Sequence, residues 1–131
     1  MTARKATCSC GRLTLIAEGE SVRISMCHCL ACQRRTGSVF GVQARFLEDS
    51  VTIEGDSSRY IRTADSGNQI TFHFCPACGS TLLYSIDDDP GIIAVPVGAF
   101  ADPDFPPPTV SVYEDRMHSW VAVPENIEHW D

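Results

Sequence analysis

No apolar run in this 131-residue chain is long enough to cross a bilayer. The most hydrophobic stretch, Ile92 to Phe100, is broken by Pro96 and Gly98 and falls far short of the roughly 18 residues a membrane helix needs. An export signal is missing as well: the basic Arg4 and Lys5 lead into Cys8, Ser9, Cys10, Gly11 and Arg12 instead of an apolar stretch. A soluble, cytoplasmic protein with no membrane partner is expected. Basic charge is scarce, with 10 Lys and Arg against 17 Asp and Glu and a net charge of −7. No Lys/Arg run forms the stripe that phosphate-backbone binding requires, which argues against a nucleic-acid partner. An anionic substrate would need a local cationic patch, the more so once cysteines ionise on a metal. Repeats of solenoid period and compositionally biased segments are also missing, so the chain is expected to be ordered nearly throughout.

What is present is a set of short, strand-length runs. Arg12 to Ala17, Val22 to Met26, Phe40 to Phe46, Val51 to Ile53, Arg59 to Arg62, Gln69 to Phe74, Thr81 to Ser85, Ile92 to Val97 and Val110 to Tyr113 show period-two patterning or β-branched enrichment. Turn formers such as Glu54-Gly55-Asp56 and Asp65-Ser66-Gly67-Asn68 separate them. A single mostly β, mostly antiparallel domain over residues 1–131 follows, large enough to bury a core without a metal. Asp102 to Pro108, rich in proline, is predicted to cross the surface. The helix signal is brief, from about Leu30 to Thr36, with Gly37 suited to the left-handed residue after its last turn.

Seven cysteines are an odd number, and a chain kept where thiols stay reduced is a poor candidate for a disulfide framework. None stands alone. Cys8-Ser9-Cys10-Gly11 and Cys75-Pro76-Ala77-Cys78-Gly79 are two close pairs, and two pairs supply the four corners of a tetrahedral thiolate site. Gly79 allows a positive φ, letting backbone amides turn toward the sulfurs, and Cys8 and Cys10 would share one face of a strand if extended. Such a site would clip the start of the chain to its middle. Cys75 and Cys78 could instead form a redox dithiol, although the βαβ context for one is missing. Iron suits four thiolates as well as zinc does.

Cys27-His28-Cys29-Leu30-Ala31-Cys32 is denser. Cys29 and Cys32 can share the face of a first helical turn, with Cys27 arriving from the preceding strand. Three thiolates leave one tetrahedral corner for water or substrate, the arrangement of catalytic zinc; a fourth protein ligand, His73 or His118, would close the site and make it structural. His28 is expected to point away from a metal that both its neighbours face. Arg34 and Arg35 follow within a turn and can bring a guanidinium near the open corner to bind a carboxylate, or else line a solvated face. Trp120 and Trp130 are expected in core or edge packing.

Taken together, these residues resemble the glutathione-dependent formaldehyde-activating enzyme and centromere protein V family. The matching elements are Cys8-x-Cys10-Gly11, Cys27-His28-Cys29-x-x-Cys32-Gln33-Arg34-Arg35-Thr36-Gly37 with Phe40, and Phe74-Cys75-x-x-Cys78-Gly79-Ser80, followed by Gly98, Asp102-Pro103, Val112-Tyr113, Trp120 and Pro124. The resemblance implies a β-rich, tent-like zinc fold. It implies a structural Zn²⁺ on Cys8, Cys10, Cys75 and Cys78, and a second, catalytic Zn²⁺ on Cys27, Cys29 and Cys32. The activity it implies is formation of S-hydroxymethylglutathione from glutathione and formaldehyde, a carbon–sulfur lyase reaction, in which the arginine read above, Arg34 or Arg35, could meet a substrate carboxylate. The expected partners are therefore a small-molecule thiol and aldehyde. The competing expectation is a zinc-stabilised binding module without turnover.

Overall fold

The computed structural model describes residues 2–130. Strands β1 (Ala3–Thr7), β2 (Thr14–Glu18) and β5 (Val51–Glu54) form a small antiparallel sheet in the order β1-β2-β5. The remaining strands are β3 (Arg23–Cys27), β4 (Gly41–Leu47), β6 (Ser58–Thr63), β7 (Gln69–Phe74), β8 (Thr81–Ile86), β9 (Ile92–Pro96), β10 (Val110–Val112) and β11 (Glu128–Trp130). They form a larger open sheet in the order β11-β10-β3-β4-β9-β8-β7-β6. The single α-helix, α1 (Leu30–Thr36), lies between β3 and β4 and ends on Gly37 at φ 74°, as its sequence predicts. The described chain is mostly β, with one α-helix and open sheets.

Alternation explains which face is buried. Ala6, Leu15 and Ala17 from the small sheet, with Leu13 just before β2, meet Ile24, Ala44, Phe46, Ile93 and Val95 from the large one, forming the main core. Neighbours that face each other across a strand pair, Ile24 with Ala44 and Phe46 with Ile93, sit on the same side because side chains alternate with period two. The intervening residues, Arg23, Ser25, Gln43 and Arg45, face the opposite side. There Ile70, Phe72, Tyr84 and Ala94 make a second, smaller apolar cluster.

Two strands escape the sequence pattern. In β1 only Ala6 is fully buried, and β11 is exposed along its length, so neither carries a readable apolar periodicity. Pairing is not wholly antiparallel either: β10 runs parallel to both β3 and β11, because the chain returns from Phe100 through the proline-rich crossing before joining the sheet. That crossing lies at the surface except where Phe105 stacks on Phe100 at 4.8 Å between ring centroids. Trp120 differs from expectation, being 71% exposed outside any strand, while Trp130 packs at the sheet edge with the Arg23 guanidinium 5.0 Å from its ring centroid.

Candidate metal centres

The Cys8–Gly11 segment is a turn between β1 and β2, not an extended stretch. Cys8 N donates to Leu13 O, Gly11 N donates to Cys8 O, and Gly11 takes φ 81°, so the pair is a knuckle like its counterpart. The extended reading fails because the chain must reverse here to pair β1 with β2. In the second knuckle Cys75 N donates to Ser80 O, Gly79 N donates to Cys75 O, and Gly79 takes φ 82°. The amide of Leu13 donates to Cys8 Sγ at 3.3 Å, and Ser80 Oγ lies 3.5 Å from Cys78 Sγ. With Ser80 first among its causes, the Cys78 thiol is drawn down to about 5, ready to serve as a thiolate.

Cys8 Sγ lies 3.7 Å from Cys10 Sγ, which lies 3.6 Å from Cys75 Sγ, and all four sulfurs of the two pairs fall within 4.8 Å of one another. Four sulfurs about 2.3 Å from a tetrahedral zinc would stand about 3.8 Å apart. The spacing is therefore that of a ligand cage and far too wide for disulfides. Ser9 Oγ, 2.8 Å from Ser80 Oγ, ties the two knuckles together beside the sulfurs.

The Cys27, Cys29 and Cys32 sulfurs also lie within 4.8 Å of one another. Cys27 ends β3, Cys29 caps α1 with its sulfur accepting from Cys32 N at 3.3 Å, and Cys32 sits in the first turn. Bonds from the Cys27 and Cys32 thiols hold the Cys29 thiol well below its ordinary value, while bonds with Cys29 and Cys32 push Cys27 far up. Three sulfurs this close cannot all ionise without a cation between them. The donor set fits a soft divalent ion such as zinc.

No His, Asp or Glu joins this trio among the described residues. His73 is on β7 with its Nδ1 3.4 Å from Ser57 Oγ, and His118 Nε2 lies 3.2 Å from Gln33 Oε1. His28 is fully buried and turned away, its Nε2 3.0 Å from Ser111 Oγ. Beyond Ser111 lies Glu114, itself 2.8 Å from His129 Nδ1, so a polar chain anchors the loop that carries Cys27 and Cys29.

The two arginines part company. Arg34 is exposed, whereas Arg35 is half-buried, its charge acts on Cys32, and its guanidinium lies 5.3 Å from the Tyr84 ring centroid. Gly41, directly beneath the helix, gives it room: a Cβ there would meet the Arg35 guanidinium and Cys32 Cβ at contact distance. Gln33, quoted above only as part of a motif, proves to be a clamp. Its Nε2 donates to His28 O at 2.9 Å and to Arg116 O at 3.2 Å, fastening α1 to both the cysteine loop and the segment after β10.

The sequence model of the glutathione-dependent formaldehyde-activating enzyme family matches residues 3–116, a span that takes in both cysteine constellations. The chain belongs to this family. No curated protein sequence matches it. A crystal structure of a Rhodobacter sphaeroides protein shares the fold, with a TM-score of 0.59 and 20% identity over 79% of this chain and 91% of that one. Among the described residues of this family member, no helix is long and apolar enough to cross a membrane.

Proposed function

We propose that the chain is a zinc-dependent carbon–sulfur lyase of the formaldehyde-activating type, joining glutathione or another thiol to a small aldehyde. Cys8, Cys10, Cys75 and Cys78 would hold a structural zinc, and Cys27, Cys29 and Cys32 a catalytic one. The observation that carries this reading is the three-sulfur cluster, with no fourth protein donor among the described residues and a half-buried arginine beside it. A zinc held there supplies a Lewis-acid centre that favours the thiolate form of a thiol at neutral pH.

In the reaction the thiol sulfur bonds to the carbonyl carbon, the C=O π bond opens, and the S–H proton ends on the carbonyl oxygen. The protein's own groups then have separable tasks. Arg35 meets an anionic group on the thiol and holds it near the cluster, where proximity converts an encounter into an oriented pair. His28 and Gln33 fix the cysteine loop from behind. The buried apolar floor of Phe72 and Tyr84 limits water on the substrate side.

Metal analysis combined with turnover tests the reading. Two zinc equivalents per chain and adduct formation from glutathione and formaldehyde faster than the uncatalysed rate are expected. Full metal content with no rate above background would replace the enzyme with a zinc-stabilised binding module.

A further inference from the structure

On the face of the large sheet turned away from the small one, six residues stand in a single cross-strand row. Tyr60 pairs with Phe72, Phe72 with Tyr84, Tyr84 with Ala94, Ala94 with Arg45, and Arg45 with Arg23. The row is aromatic at one end and cationic at the other, with the small Ala94 between Tyr84 and Arg45. Arg35 reaches into it from α1, its guanidinium 5.7 Å from the Phe72 ring centroid and 5.3 Å from that of Tyr84. Arg45 is pinned by a bond from its Nη1 to Ser25 Oγ at 3.0 Å, which leaves its other donors free.

None of Arg23, Arg35 and Arg45 has a carboxylate within 4.0 Å among the described residues. Arg23 Nε is buried without a hydrogen-bond partner. Asp89 lies beside Arg45 and Tyr84 and its charge acts on Arg23, but among the described residues it forms no ion pair with any of the three. In a chain of net charge −7, three half-buried guanidiniums gathered on one sheet face without an ion pair are unfavourable as they stand. A bound anion would relieve that.

We propose that Arg35, Arg45 and Arg23, set around Tyr84, form a carboxylate subsite for the thiol bound at the three-cysteine cluster; the thiol part of this proposal rests on the function proposed above. Arg35 bridges the two places, since its charge acts on Cys32 while its guanidinium lies over Tyr84. The row lies four residues along β3 from Cys27, about 13 Å at about 3.3 Å per residue. The subsite therefore suits a peptide-sized thiol whose carboxylate is several bonds from its sulfur. A minimal mercaptan could meet Arg35 alone.

The test compares 6-mercaptohexanoate, its neutral amide 6-mercaptohexanamide and thiol-free hexanoate, titrated calorimetrically into zinc-loaded protein. The acid should bind at least about tenfold tighter than the amide, the scale of a charge-assisted hydrogen bond. Arg45→Gln should bring the two affinities together by weakening the acid alone. Hexanoate should bind the wild type weakly and Arg45→Gln not at all. Should Arg45→Gln fail to fold, Arg23→Gln gives the same comparison, and Asp89→Asn should tighten the acid. Binding of hexanoate that depends on Arg45, without binding of either thiol, would support the anion subsite and sink the thiol reading. Equal affinities for acid and amide in the wild type, or a ratio unchanged in these arginine variants, overturn the subsite and leave the thiol reading standing. Failure of all three probes to bind overturns both.

Discussion

Cys10 Sγ and Cys75 Sγ lie 3.6 Å apart although 65 positions separate them in the chain, whereas Cys27, Cys29 and Cys32 gather within one loop and the helical turn that follows it. The two sites should therefore differ in what their loss does. Metal held at the first would crosslink the β1–β2 turn to the β7–β8 turn, so its binding free energy would also be folding free energy. Cys78→Ser should lower the melting temperature sharply and release metal. Cys29→Ser should spare most of the fold while reducing metal content and turnover. Equal loss of stability in the two variants would make the second site structural.

Arg35 and Arg34 offer a second contrast, because one lies over Tyr84 beside Cys32 and the other is exposed. Arg35→Ala should weaken binding of glutathione by about 1.5–3 kcal/mol, and Arg34→Ala by less than about 0.5 kcal/mol. Calorimetric titration of both variants checks this; an effect confined to Arg34 would reverse the assignment.

Gln33 holds His28 O and Arg116 O with one amide nitrogen. Gln33→Leu keeps the side chain's bulk and removes both bonds, together with the contact of its Oε1 with His118, at a cost of about 1–2 kcal/mol. Zinc affinity of the three-cysteine cluster, measured by competition with a chromophoric chelator, should fall more than the melting temperature would suggest. An unaltered affinity would leave Gln33 as ordinary packing.

Glu114 is held below its ordinary value first by its bond with Ser111 and then by His129. A carboxylate lowered in the folded state adds stability that is fully present above its unfolded value, near 4.5, and is lost as pH falls through the lowered folded value. The wild type should thus melt above Glu114→Gln at pH 6, with the gap closing below about pH 4.5. Because the group is partly exposed, the gap corresponds to no more than about 1 kcal/mol. A gap that persists into acid would show that the charge of Glu114 is not its source.

Gly55, in the turn between β5 and β6, has φ 103°, and a Cβ there would collide with the carbonyl oxygen of Arg12. Gly55→Ala should destabilise by more than about 1 kcal/mol, seen as a lower melting temperature with metal content unchanged.

The sequence by itself determined a good deal. Patterns of local origin were legible: α1 from Leu30 to Thr36 with its glycine cap, β7 from Gln69 to Phe74, and the division of the cysteines into two pairs and a triplet. Each depends on residues a few positions apart, where spacing and backbone geometry act directly. Tertiary structure decided the rest. The exposed β11 and the weakly patterned β1 exist because a neighbouring strand offers hydrogen bonds, and no apolar periodicity records that. Which arginine approaches the three-cysteine cluster depended on which helix face settles over Gly41. The juxtaposition of Arg45 with Arg23 and Tyr84 depended on the register of four strands, β3, β4, β9 and β8. Strand register is fixed by the whole core at once, since a slip of one residue would turn every side chain of a strand to the other face, so no short window of sequence contains it.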